Sequence, residues 1–278
     1  MSDLLSIYKE LQAKKWVDLS HQINAESPHF PALPALQQED LFTLKDGFHV
    51  QKFTVVGQYG THIDAPIHFV EGGRWLDEID LKDLLLPLYV IDKSKEVAAN
   101  PNFILSKQDI LDFEAEHGQI AEGAFVAFRS DWSKRWPDQD AMRNLDENGV
   151  QQSPGWSREA LEFLIHERHV KAVGHETFDT DAGIPAAEHG LVNEYYLLEQ
   201  NIYQVEVFEP IGPSSSCRCF DFDCFPSLGQ GNWFTCPCHC HLTINKEKML
   251  EDRRRIWTFV FCIFETYFRY HLIFHLKN

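Results

Sequence analysis

Cysteine is missing from the first 216 of the 278 residues, so nothing in that stretch suggests a disulfide scaffold. No secretory signal opens the chain: Met1 to Lys15 is polar and lacks an apolar core segment. A cytoplasmic protein is the expectation. Positive charge is also scarce, with 25 Lys and Arg against 42 Asp and Glu and a net charge of -17. That balance argues against nucleic acid, and against an anionic membrane surface for the body of the chain. The length suits one domain, or one domain plus an appendage.

Composition then changes abruptly. All seven cysteines lie between Cys217 and Cys262. Residues 214–278 hold 8 Lys and Arg against 6 Asp and Glu, which leaves 17 against 36 for residues 1–213. The expected organisation is a catalytic domain over 1–213, incomplete at its C-terminal end, and an anomalous Cys- and aromatic-rich tail over 214–278.

The chemistry concentrates in Gln58-Tyr-Gly-Thr-His-Ile-Asp-Ala-Pro-Ile-His68. The β-branched run before it, Phe53-Thr-Val-Val56, reads as a strand. Side chains in an extended chain alternate faces, and Gln58, His62, Asp64 and His68 share one parity. Two imidazoles and a carboxylate on one side suit a borderline divalent cation such as zinc or manganese. Pro66 supplies no N–H, so strand pairing should stop there and leave His68 in a loop, either behind the ligands or as a proton carrier. The plainer reading is a polar strand end with solvated or hydrogen-bonded histidines.

Gly60-Thr61-His62-x-Asp64-x-Pro66-x-His68 resembles the signature of the metal-dependent cyclase family, which includes bacterial kynurenine formamidases and isatin hydrolases. The family pattern is His-x-Gly-Thr-His-x-Asp-x-Pro-x-His, and only its first position differs, with Gln58 in place of histidine. The resemblance runs from about Trp16 to about Pro210 and includes the Asp18-Leu-Ser-His21 opening. Gly174, Thr177 and Asp181 match a further family run, with His175 and Glu176 as candidates to support the ligands from behind. Loop hydrogen bonding is the competing reading of that run.

The resemblance implies an α/β fold of mixed sheets with flanking helices, in the family's swivelling β/β/α arrangement. It implies a divalent metal, Zn or Mn, held by Gln58, His62, Asp64, His189 and Glu199, with His68 and Glu199 catalytic. The last two ligands are carried over because the family has a histidine just before a late helix and a glutamate or glutamine at its end. The reaction would be hydrolysis of an amide, N-formylkynurenine to kynurenine plus formate, with an isatin-like cyclic amide as the alternative. Gln58 puts the metal count and the substrate in question, because an amide oxygen is a poorer zinc ligand than imidazole. A homodimer or homotetramer acting on a small-molecule amide, with no nucleic acid and no membrane for the body, completes the expectation. The rival class is a non-catalytic metal-binding pseudoenzyme.

Local signals support the α/β reading. Met1 to Ala13 reads as a short helix, with Leu4, Leu5, Tyr8 and Leu11 near one face. Ser106 with Asp109 three residues later opens a helix to His117, and Ser157 opens another to about His169. Strands are expected at Trp16–His21, Leu88–Ile91, Ala124–Phe128, Lys171–Gly174 and Tyr203–Phe208, and a helix at Leu191–Leu198. Phe30, in a proline-punctuated loop, reads as a pocket wall or a surface group. The basic-aromatic cluster Arg129 to Trp136 reads as a loop near the pocket or a subunit contact rather than a nucleic-acid surface.

The tail offers Cys236-Pro-Cys-His-Cys-His241 as a soft-metal cluster and an apolar run from Arg253 to Leu276 of about membrane-spanning length. Glu265 and Arg269 would be costly inside a membrane. A third reading explains both: the tail is translated out of frame. Trp233 has the single codon TGG, and a one-base advance into a following T gives glycine. Cysteine codons followed by C or T give alanine or valine. Advancing one base from Cys217 to His241 yields AGALILIAFPPWGKATGSPARAIA with permitted synonymous codons. That string reads as strand, loop and strand, and resembles the family's Gly-Ser-Pro-x-Arg-Ala ending. The expected shift lies near residues 208–213.

Overall fold

The computed structural model describes residues 4–209, 219–222, 233–235 and 240–243. Its strands are β1 (Lys15–Asp18), β2 (Gln37–Phe42), β3 (Val50–Thr54), β4 (His62–Asp64), β5 (Leu85–Asp92), β6 (Ile104–Leu105), β7 (Phe125–Arg129), β8 (Gly155–Trp156), β9 (Ala172–His175), β10 (Tyr203–Glu206), β11 (Cys219–Phe222), β12 (Trp233–Thr235) and β13 (Cys240–Thr243). The helices are α1 (Leu4–Gln12), α2 (Ser94–Ala99), α3 (Lys107–His117), α4 (Gln139–Arg143), α5 (Arg158–Arg168), α6 (Gly183–His189) and α7 (Val192–Glu199). The chain has the mixed α/β architecture expected of it.

Nine strands form the main sheet, in the order β1-β13-β11-β5-β7-β9-β10-β4-β12. Its centre, β5 to β10, is parallel, and β4 joins β10 antiparallel. The inner strands β7, β9 and β10 are buried on both faces. Alternate residues of the parallel strands serve two cores. Ile91, Val126, Phe128 and Val173 pack with Ile110 of α3, Leu161 of α5 and Leu197 of α7. Leu88, Val90, Phe125 and Ala127 point to the other face, with Ile63 and Val205.

The capped helices form where their signals lie. Ser106 accepts from the Asp109 N–H in a capping box at the start of α3, and Ser157 accepts from the Ala160 N–H at the start of α5. His169 closes α5 in the left-handed conformation at φ 51°.

One expectation is corrected. The strand before the motif is Val50–Thr54, not Phe53–Val56, and it pairs only with β2 in a separate hairpin. Every residue of its two strands is exposed, so no inward face set their period. The N-terminal helix forms, but none of its residues is buried. Phe30 is exposed.

Beyond residue 209, β11 pairs with β5, β12 with β4 and β13 with β1, all antiparallel. Residues 236–239, the core of the Cys/His cluster, and the apolar run from Arg253 lie outside the described residues, as does the 210–218 junction. Among the described residues no helix is long and apolar enough to cross a membrane.

Candidate metal centre

The site is built by the pairing of β4 with β10. His62 lies opposite Glu206 and Asp64 opposite Gln204, while Ile63 opposes Val205. Residues directly opposite on an antiparallel pair share a face. Four polar side chains therefore stand on one side, and the two aliphatic ones enter the core on the other. All four polar side chains are buried. Thr61 fastens the edge of this unit: its hydroxyl donates to the Val207 carbonyl at 2.6 Å and accepts from the His21 N–H at 2.9 Å.

Two groups of ligand atoms converge here. His62, Asp64 and Glu206 bring one atom each within 4.8 Å of one another, and so do Asp64, His68 and Glu194. Asp64 belongs to both. His62 Nδ1 lies 2.9 Å from the Gly60 carbonyl, which can only accept, so that nitrogen carries the proton. Nε2 is then the atom that faces the carboxylates, 3.4 Å from Glu206 Oε2 and 3.6 Å from Asp64 Oδ2. Among the described residues, buried His62 Nε2 and Glu194 Oε2 find no hydrogen-bond partner. A cation is what such atoms lack.

Charge points the same way. Burial pushes the Glu194 carboxyl well above its ordinary value, and Glu206, Asp64, Asp179 and Asp181 add to the rise. Asp179 is pushed up to about 7 by burial, then by the charges of Glu206, Asp181 and Asp64. Burial would also raise Asp64, but His62, His68 and the Gln204 amide outweigh it and hold the carboxyl below the usual range. Burial lowers the His62 pKa, yet Asp64 and Glu206 overcome this and raise it. So many carboxylates gathered out of water call for positive charge. With one imidazole and several carboxylate oxygens, the donor set fits a divalent ion such as Zn²⁺ or Mn²⁺.

Gln58 reaches the cluster through its amide nitrogen, which donates to Asp64 Oδ1 at 3.1 Å and faces His68 Nδ1 at 3.2 Å. His68 sits in a short 3₁₀ turn, Pro66–His68, and is about a quarter exposed, with Nε2 3.8 Å from Asp64 Oδ1. Strand alternation therefore does not unite these residues, because β4 spans only His62–Asp64. The turns on either side bring Gln58 and His68 back to it. Gly60 makes one of them at φ 69°, where an added methyl would overlap Ile23 Cγ2.

His189 and Glu199 do not join the site. His189 ends α6 on the surface beside Glu188, and Glu199 ends α7 exposed. The inward carboxylate of α7 is Glu194, which shares a face with buried Leu197 and Leu198 at i+3 and i+4. Glu199 follows Leu198 directly and so turns away. Asp181 accepts from the Asn193 and Glu194 N–H groups at 2.9–3.0 Å and fixes the start of this helix. Glu206 was also missed, although it and Gln204 are the polar positions of an otherwise apolar strand.

Around the site, His175 faces Glu206, whereas Glu176 turns to Ser130 and Ser133 and braces the following loop. Burial raises Glu176 to about 7. The basic-aromatic cluster is engaged internally: Arg129 pairs with Asp92 and Asp131, Lys134 with Asp131, and Arg135 lies 3.7 Å over the Trp132 ring. Trp136 stacks on His21 at 4.3 Å, beside Gly60.

The chain resembles known proteins in sequence and in fold. The family model described as "Putative cyclase" matches residues 17–182. An isatin hydrolase of Roseibium aggregatum is 41% identical over 141 residues, 49% of this chain and 53% of that protein. A kynurenine formamidase of Bacillus anthracis is 30% identical over 86 residues, 30% of this chain and 41% of that protein. The chain thus spans about half or less of the curated relatives it matches. In three dimensions it resembles an isatin hydrolase bound to the product analogue thioisatinate, with TM-score 0.79 and 25% identity over 88% of this chain and 100% of that one. Isatin hydrolase A from Labrenzia aggregata, bound to benzyl benzoate, gives TM-score 0.77 and 28% identity over 86% and 98%.

Proposed function

Because the chain belongs to the putative cyclase family, we propose that it is a metal-dependent hydrolase of a small amide. The observation that carries this reading is the pair of buried ligand groups meeting at Asp64. His62, Asp64 and Glu206 would hold a divalent ion, manganese or zinc. Glu194 would add a further carboxylate oxygen beside the shared Asp64. When bound, such an ion supplies Lewis acidity to the amide carbonyl and to the attacking water. His68, part-exposed at the edge of the cluster, takes the water's proton at a ring nitrogen and returns it to the leaving amine. The Gln58 amide nitrogen sits between that ring and Asp64, 3.2 Å from His68 Nδ1 and 3.1 Å from Asp64 Oδ1.

A cyclic amide of the isatin kind is the first substrate to test, since the 41%-identical relative is an isatin hydrolase. An N-formyl arylamine such as N-formylkynurenine is the second, on the likeness to kynurenine formamidases, and would place the enzyme in tryptophan catabolism. The full chain, reloaded with Mn²⁺ or Zn²⁺ after chelation, should hydrolyse one of the two and lose turnover in EDTA. His68→Ala should keep the metal and lose on the order of 10²–10⁴ in kcat. Metal binding with turnover of neither amide, unaltered by His68→Ala, would make the chain a metal-binding pseudoenzyme.

The same reading includes a cytoplasmic homodimer or homotetramer. The β2–β3 hairpin exposes Leu41, Phe42, Leu44, Phe48 and Phe53, and a two-stranded sheet is marginal alone in water. A second copy would cover it, and sedimentation velocity of the full chain reads this directly.

A further inference from the structure

Glu206 is fixed by buried side chains that donate to its Oε1. Trp156, His175, Thr180 and Gln204 are all buried. The Trp156 indole N–H, a donor only, lies 3.3 Å from His175 Nδ1. That nitrogen must accept, so the His175 proton sits on Nε2, 3.2 Å from Glu206 Oε1. Thr180 donates its hydroxyl to Gln204 Oε1. The Gln204 amide nitrogen is thereby turned to the site, where it donates to Glu206 Oε1 at 2.9 Å and to Asp64 Oδ2 at 3.2 Å. Glu206 Oε1 thus takes two hydrogen bonds, and Oε2 is left facing His62 Nε2.

We propose that His175 and Gln204, set by Trp156 and Thr180, are positioning residues that present Glu206 Oε2 and the Asp64 carboxylate to a divalent cation. This rests on the metal-dependent reading above. Each link has a fixed direction. Trp156 selects the imidazole tautomer, and Thr180 selects the amide orientation. Without the Thr180 hydroxyl, Gln204 can rotate and turn its oxygen toward two carboxylates, which repels them. Without the His175 N–H, Glu206 Oε1 loses a donor and the carboxylate can swing away from His62.

The test is calorimetric titration of the chelated full chain with MnCl₂ alone. His175→Phe and Thr180→Val should each weaken Mn²⁺ binding about 10–100-fold, the usual consequence of removing a ligand's support. His175→Gln, which still offers an N–H to Glu206, should bind within about threefold of the parent. Thr180→Val is nearly isosteric and so reports even if the aromatic replacement fails to fold. Parent-like affinity in both His175→Phe and Thr180→Val overturns the inference while leaving the metal site standing. His175→Gln as weak as His175→Phe also overturns it, because packing and not the donor would then matter. A parent chain that binds no divalent ion overturns the metal reading and this inference with it.

Discussion

Asp179→Asn in the metal-free protein should raise stability, and more so at pH 8 than at pH 5. Asp179 is pushed up from 3.8 to about 7 by burial and by the charges of Glu206, Asp181 and Asp64. The folded chain therefore holds this proton where the unfolded chain has released it. Stability falls as pH rises from the unfolded value near 4 to the folded value near 7, and then levels off. By pH 8 the full difference is on the order of 4 kcal/mol, and at pH 5 about 1.5 kcal/mol. Relaxation of the surrounding groups reduces the observable gain to about 1–3 kcal/mol. Asparagine keeps the shape and removes the titration. Urea unfolding in EDTA at both pH values measures the difference as a shift in midpoint at constant slope. A variant no more stable at pH 8 than at pH 5, relative to the parent, would refute the crowded-carboxylate account. Saturating Mn²⁺ should shrink the gain, because a bound cation relieves the same repulsion.

His189→Ala and Glu199→Ala should leave Mn²⁺ binding unchanged and alter stability by less than about 0.5 kcal/mol, whereas Glu194→Gln and Glu206→Gln should weaken binding by more than tenfold; equal effects in a titration would reinstate the sequence-based ligands. Gly60→Ala should destabilise the fold by about 2–3 kcal/mol in urea unfolding, from the positive φ and the overlap with Ile23; a neutral change would mean that the turn relaxes freely. A nucleotide read across codons 205–245 should find a base gained or lost near codons 208–213; an unbroken frame would make the cysteine-rich tail a genuine product.

Much of the site was legible where a short segment carries its own geometry. His62, Asp64 and His68 stand within seven residues, and glycine and proline mark the turns between them. The capped helices α3 and α5 were legible for the same reason, since a cap is a contact three residues long. Glu206 and Glu194 were not, because each depends on something nonlocal. Glu206 becomes a neighbour of His62 only through the β4–β10 register. Glu194 could have been found from its own helix, since Leu197 and Leu198 mark the buried face, but a carboxylate at the helix end drew the assignment instead. The β2–β3 hairpin left no alternating pattern because neither of its faces is covered.

The register that sets His62 against Glu206 joins strands 140 residues apart in sequence, as the Asp64–Gln204 contact records. No fragment of the chain that lacks either strand holds a complete ligand set. The unfolded protein, and any early state in which β4 and β10 have not met, therefore has little for a divalent ion to grip. Added metal should leave the refolding rate almost unchanged and slow unfolding instead, acting as a latch that closes after the last long-range pairing rather than as a seed for it.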